Sequence, residues 1–134
     1  MKKIFILLFF SLIVFINSQS SLADSRESEL PPCIVITHCI KENWEVNDIE
    51  DSFHKIEIAI SNTPRTKIVE KLPYYIHAEA KTKWRRYTDD LLIKALPSKN
   101  IIQVRSESRV GIGDKGVNKK RVDELAYRLM TNQL

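Results

Sequence analysis

Between Arg105 and Arg121 the chain reads RSESRVGIGDKGVNKKR, which gathers Ser106, Ser108, Arg109, Asp114, Asn118 and Arg121 around Gly111, Gly113 and Gly116. Glycines at this spacing let the backbone enter φ > 0 and turn its N–H groups toward a common point. A helix beginning near Asn118 would add its own N-terminal amides. That is the chemistry of an anion site, and with Arg109, Lys119 and Arg121 in reach it would take a phosphate, a carboxylate or a lipid headgroup. A second reading needs no ligand: Asp89 and Asp114 are themselves the anions, accepting the loop amides and pairing with the arginines. Basic side chains in a helix's first turn oppose its dipole, so Lys119, Lys120 and Arg121 require a negative partner in either case. The candidate site is therefore Asp89, Ser106, Ser108, Arg109, Gly111, Asp114, Gly116, Asn118 and Arg121, with no catalytic residue, metal or cofactor assigned.

Other constellations carry less. A Ser-His-Asp relay from Ser106 or Ser108 through His77 to Asp89 fails because strand alternation points His77 to the opposite face. His77 and Glu79 share a face and could ligate a metal, but Lys94 is expected directly across from His77, which favours a surface ladder of charges. Asp114-Lys115-Gly116-Val117-Asn118 hints at a calcium loop, yet Leu125 stands where the bidentate Glu is needed. Trp44, Tyr74, Tyr75 and Trp84 read most simply as core or rim aromatics.

The elements that must position the corner follow from periodicity. Asn47 with Glu50 forms a capping box, and Ile49, Phe53, Ile56 and Ile60 then recur at helical spacing up to Asn62-Thr63-Pro64. Beyond Pro64 the period becomes two, with strands expected over Lys67–Leu72, Tyr75–Trp84, Tyr87–Leu96 and Ile101–Ser108, and a turn at Pro97–Asn100. Val122, Leu125, Ala126 and Leu129 make the last segment an amphipathic helix. The fold class is α+β: a small antiparallel sheet of about four strands covered on one face by two helices. Hairpins turning at Arg85-Arg86 and Ser98-Lys99 put Ile76, Ala78, Ala80, Leu91, Ile93, Ala95, Ile102 and Val104 on one face. Thr82, Asp89, Ser106 and Ser108 continue that face as a polar tip. Tyr75, His77, Glu79, Lys81, Lys94, Gln103, Arg105 and Glu107 fall on the other.

The N-terminus sets the compartment. Lys2 and Lys3 precede an apolar run from Ile4 to Ile16 broken only by Ser11, too short for a span of roughly 20 apolar residues, and Ser21-Leu22-Ala23 offers a cleavage site. Residues 1–23 are thus expected to be a signal peptide cleaved near Ala23, the competing reading being an uncleaved anchor. Residues 24–46 form a leader carrying the cysteines, and 47–134 a single α+β domain, of a size that buries about 60–65% of its unfolded surface. Lys2 and Lys3 account for two of the 21 basic residues, so without them 19 stand against 17 acidic and the net charge falls from +4 to +2. So even a balance implies no nucleic-acid partner. In an oxidising compartment Cys33 and Cys39 read first as a disulfide; metal ligation with His38, or two free buried thiols, are the other readings.

YIHAEAKTKWRRYTDDLLIKA followed by IIQVRSESRVGIGDKGVNKKRVDEL resembles the uncharacterised DUF1499 family, from about Cys33 to the C-terminus. The family pattern Arg-Ser-x-Ser-Arg-x-Gly-x-x-Asp-x-Gly-x-Asn-x-x-Arg falls on Arg105, Ser106, Ser108, Arg109, Gly111, Asp114, Gly116, Asn118 and Arg121. Its paired aspartates fall on Asp89 and Asp90, its Tyr-x-His-Ala-Glu on Tyr75, His77, Ala78 and Glu79, and its N-terminal cysteine on Cys39. Where the family often has a carboxylate two places after the aspartates, this chain has Leu92. The resemblance implies no defined activity; it fits a periplasmic home, or a thylakoid lumen in a phototroph.

The function expected is a non-catalytic binding or accessory protein with a polar corner that takes a small anion. The alternative is a hydrolase-like enzyme acting on a phosphate or ester at the same corner, which needs that corner open to solvent. A third class, an assembly factor for a membrane complex, would expose an apolar or aromatic patch around Trp44 or Trp84.

Overall fold

The computed structural model describes residues 28–111 and 113–134. The expected export signal and residues 24–27 of the leader lie outside them. Among the described residues seven elements run in order: β1 (Cys39–Glu45), α1 (Ile49–Ser61), β2 (Thr66–Leu72), β3 (Tyr75–Lys81), β4 (Thr88–Leu96), β5 (Ile101–Ser108) and α2 (Val117–Thr131), with a 3-10 turn at Pro97–Lys99. The strands form one antiparallel sheet in the order β1-β5-β4-β3-β2. Four of them are the expected meander. The fifth comes from the cysteine leader, where CIKENWE shows no apolar alternation because its helix-side residues are Ile40, Glu42 and Trp44. Glu42 is tolerated there as an acceptor for the Trp44 indole N–H at 3.0 Å.

Both helices pack on one face of the sheet. There Ile76, Ala78, Leu91, Ile93, Ala95, Ile102 and Val104 are buried against Ile49, Phe53, Ile56, Ala59 and Ile60 of α1 and Val122 and Leu125 of α2. Each large aliphatic so buried contributes about 1.5–3 kcal/mol, and Ile93, paired with Ile76 on one side and Val104 on the other, sits at the centre. The β4–β5 pairing is the expected one, with Leu96 opposite Ile101.

The β3–β4 pairing differs. His77 pairs with Leu92, and Lys94 lies opposite Tyr75, because the turn is wider and centred one residue earlier than expected. Thr82 N donates to Tyr87 O at 2.9 Å, Tyr87 N donates to Thr82 Oγ1 at 3.0 Å, and Arg86 takes a positive φ of 55°. The register slides by an even number of residues, so every side chain keeps its face while changing its partner. Helix α1 is capped by Asp48, whose carboxylate accepts from Asp51 N at 2.9 Å, instead of by Asn47. Both positions carry an acid three residues ahead, and the Asp48 cap makes the buried Ile49 the first helical residue.

The second sheet face is partly covered by the chain entering β1. Leu30 is buried there, its N–H donating to Gln103 Oε1 at 2.7 Å and its carbonyl accepting from Lys41 Nζ at 2.6 Å. A disulfide joins Cys33 to Cys39 with Cα atoms 5.6 Å apart and ties this crossing segment to the sheet edge. The bridge consumes both thiolates that the metal reading required. Among the described residues no helix is long and apolar enough to cross a membrane.

Candidate functional site

The polar tip is formed where β4 begins, β5 ends and α2 starts. Asp89 pairs across the sheet with Ser108, and alternation places Asp89, Ser106 and Ser108 beneath the first turns of α2. From α2, Arg121 NH2 donates to Asp89 Oδ2 at 2.7 Å while its NH1 donates to Ser106 Oγ at 2.9 Å and Asn118 Oδ1 at 2.7 Å. The Ser106 hydroxyl donates to Asn118 Oδ1 at 2.6 Å, and Asn118 Nδ2 donates to Ser108 Oγ at 2.8 Å and to the His38 carbonyl at 3.1 Å. One asparagine thus ties α2 to β5 and to the disulfide loop. Asp89 and Ser106 have no exposed surface and Asn118 1%. Asp89 Oδ1 is buried without a hydrogen-bond partner among the described residues.

Asp114 answers the need for a negative group at the start of α2. Its Oδ1 accepts from Gly116 N at 2.9 Å and its Oδ2 from Asn118 N at 2.8 Å. Burial by itself would raise this carboxyl, but the backbone amides of Asn118 and Gly116 outweigh it and hold it below the usual carboxylate range. Gly116, with φ of 78°, supplies the left-handed residue before the first helical turn. Gly111 is also left-handed, at φ 101°, and brings the chain back toward the disulfide loop, where Asp114 N donates to Thr37 O at 3.2 Å. Both carboxylate oxygens of Asp114 are thus engaged by the amides that start α2.

Arg109 does not join this corner. Residues 103, 105 and 107 of β5 point to the other face, and Arg109 continues that parity. Its Nε donates to Asp90 Oδ2 at 2.8 Å and its NH2 to Asp90 Oδ1 at 2.7 Å and Glu79 Oε1 at 2.6 Å. His77 Nε2 lies 2.6 Å from Asp90 Oδ1. The hydrogen bonds from Arg109, opposed by burial and aided by His77, hold Asp90 below the usual carboxylate range. An ionised carboxylate can only accept, so His77 Nε2 is the donor in this contact. Burial, with Glu70 and Asp90 nearby, pushes the Tyr75 phenol up. Reading the sequence outward from the glycine loop misses this cluster of Glu79, His77, Asp90 and Arg109. The signal for it is the parity of Arg109 and Asp90, which places both with His77.

Of the nine candidate residues, Asp89, Ser106, Ser108, Asn118 and Arg121 therefore form one network, Asp114, Gly111 and Gly116 shape the loop that leads into it, and Arg109 belongs to the opposite face. Trp84 also departs from expectation, being 87% exposed on the β3–β4 turn, whereas Trp44 packs against the core.

A five-stranded antiparallel sheet under two helices, with a hydrogen-bonded latch between its polar tip and the last helix, defines a small α+β protein. The chain belongs to the family described as a protein of unknown function, DUF1499, whose profile matches residues 17–129. A search of curated proteins finds no match.

Proposed function

We propose that this is a non-catalytic binding or accessory protein, exported to an oxidising compartment, in which the polar tip locks the terminal helix onto the sheet and binding takes place on the surface around it. The observation that carries the reading is the closure of the tip. Asp89, Ser106 and Asn118 are buried and Arg121 bridges all three, so a nucleophile or general base there has no route to substrate. The Cys33–Cys39 bridge supports export, because such bridges persist in oxidising compartments. The apolar run before Ala23 supports a secretory signal.

Inorganic phosphate is the direct probe of the anion-site alternative. A ligand at ten times its Kd raises unfolding free energy by about 1.4 kcal/mol, which a melting curve resolves. The expected result is a melting temperature that phosphate leaves unchanged, together with no hydrolysis of p-nitrophenyl phosphate or acetate above background. Stabilisation by phosphate would move the reading to a bound anion, and turnover that disappears in Ser106→Ala would move it to an enzyme.

A further inference from the structure

Three loops leave the sheet at the same end. Asp89 faces Ser108 and Glu107 faces Cys39, so the β3–β4 turn, the loop from β5 into α2 and the disulfide loop before β1 are neighbours. Each carries an apolar tip in water. Trp84 is 87% exposed in the first, Val110 is exposed in the second with Val117 exposed where it enters α2, and Ile34 and Ile36 are 89% and 82% exposed in the third. The disulfide loop cannot fold its isoleucines inward, because Cys33 is bonded to Cys39 and the Thr37 and His38 carbonyls are held by Asp114 N and Ser108 N.

The same end is positively charged. Lys83, Arg85 and Arg86 flank Trp84 with no acidic residue between Thr82 and Thr88, and Lys83 Nζ lies 5.4 Å from the centre of the Trp84 ring. Lys115 and Lys120 are exposed on the neighbouring loop and helix start. The acids at this end are engaged: Asp114 by backbone amides, Asp90 and Glu79 by Arg109, and Glu107 by Arg105. A chain of nearly balanced charge has gathered uncompensated cations beside its most exposed aromatic and aliphatic side chains.

Resting on the reading of the chain as a non-catalytic binding protein, we infer that this end docks on the surface of an anionic lipid bilayer. Trp84, Ile34 and Ile36 enter the headgroup region and Lys83, Arg85, Arg86, Lys115 and Lys120 meet the lipid phosphates. Charge complementarity selects the anionic surface. The spread of the tips selects a bilayer over a protein groove: they stand on separate loops, the turn and the disulfide loop about 12 Å apart across the strand spacing, and a fluid surface accepts isolated protruding side chains without matching their shape. Tryptophan is the side chain best suited to that interface.

The test uses the full oxidised chain and reads Trp84 directly, so that any association through the apolar N-terminus does not count. With Trp44→Phe leaving Trp84 as the only tryptophan, vesicles of phosphatidylglycerol and phosphatidylcholine in equal parts should shift its emission to the blue and expose it to quenching by brominated acyl chains. Vesicles of phosphatidylcholine alone should leave it unchanged. If Trp44→Phe perturbs the fold, the blue shift present in the parent chain and missing from Trp84→Ser gives the same information, since Trp84 contributes nothing to the core. Replacing Lys83, Arg85 and Arg86 with glutamine should weaken the partition roughly fivefold per charge at low salt. Emission typical of water on both vesicle types overturns the inference, as does equal response to the neutral and anionic vesicles. Shielding of Trp84 by a soluble host protein, with vesicles inert, overturns the lipid surface but leaves the non-catalytic binding reading standing. Ester turnover lost in Ser106→Ala overturns that reading while the vesicle result is unaffected.

Discussion

Asp89 and Asp90 are adjacent in sequence and each pairs with an arginine at 2.7 Å, yet the two pairs live in different solvents. Asp89 lies under α2 with no exposed surface, whereas the Asp90 side chain keeps 25% of its surface on the open face. Strand alternation is the whole cause of the separation. The two pairs differ in kind as a result. Removing one partner of the buried pair strands the other in a low-dielectric site, while the exposed pair exchanges its contact for water and ions. The first pair is thus a condition for the helix to dock, and the second is free to contribute to a surface.

The largest effect expected is at the buried pair. Arg121→Met should cost about 3–5 kcal/mol in urea unfolding, because Asp89 loses its partner and Ser106 and Asn118 lose a donor. Against a total stability of about 5–15 kcal/mol this approaches loss of the fold. Asp89→Asn keeps the shape and should cost less, though still a few kcal/mol, with strong non-additivity in the double variant. A cost under about 0.5 kcal/mol for either single variant would erase the distinction between the two pairs.

Next comes the disulfide, which ties the crossing segment over the open face and presents the loop of isoleucines. Replacing Cys33 and Cys39 with serine should cost about 2 kcal/mol from chain entropy at this short separation. The intact protein should weigh two hydrogens less than its reduced form, and a free-thiol assay that detects both cysteines would rule the bridge out. A smaller effect is expected at Asp114→Ala, which takes away the acceptor for two amides at the start of α2 and should cost about 1 kcal/mol.

The same parity explains what could be read without coordinates. Strand β5 was legible to the residue, and the face carrying Ile76, Leu91, Ile93 and Val104 was legible because apolar alternation survives any even slip in register. The crowding of Asp89, Ser106 and Ser108 under Asn118 and Arg121 came with it. Nearness to the glycines draws Arg109 to that corner on paper, against the alternation that already puts Arg105 and Glu107 on the other side. Strand β1 was hidden for a different reason. An edge strand with Glu42 on its helix side has no period of its own, and its place is set by pairing with β5 and by the Cys33–Cys39 bridge, neither of them a local property of CIKENWE. The β3–β4 partners were off because turn width depends on how Thr82 and Arg86 close the loop, which hydrophobic pattern does not encode.

The smallest effect is expected at Asp90, and its pH dependence separates the two pairs most finely. Asp90→Asn should cost at most about 1 kcal/mol at neutral pH and low salt, and less as salt rises, because the group is partly hydrated and its pairing with Arg109 is screened. The folded state holds the Asp90 carboxyl below its ordinary value, so folding favours the ionised form. That stabilisation is fully present above the unfolded carboxylate pKa of about 3.9 and is lost as pH falls through the lower folded value. The difference in unfolding free energy between the parent chain and Asp90→Asn should therefore shrink steadily as pH falls below about 5. Salt should shrink it too, while leaving the cost of Arg121→Met largely intact. A difference that grows as pH falls below about 5, or that resists salt as well as the buried pair does, would place Asp90 in the same environment as Asp89 and undo the contrast between the faces.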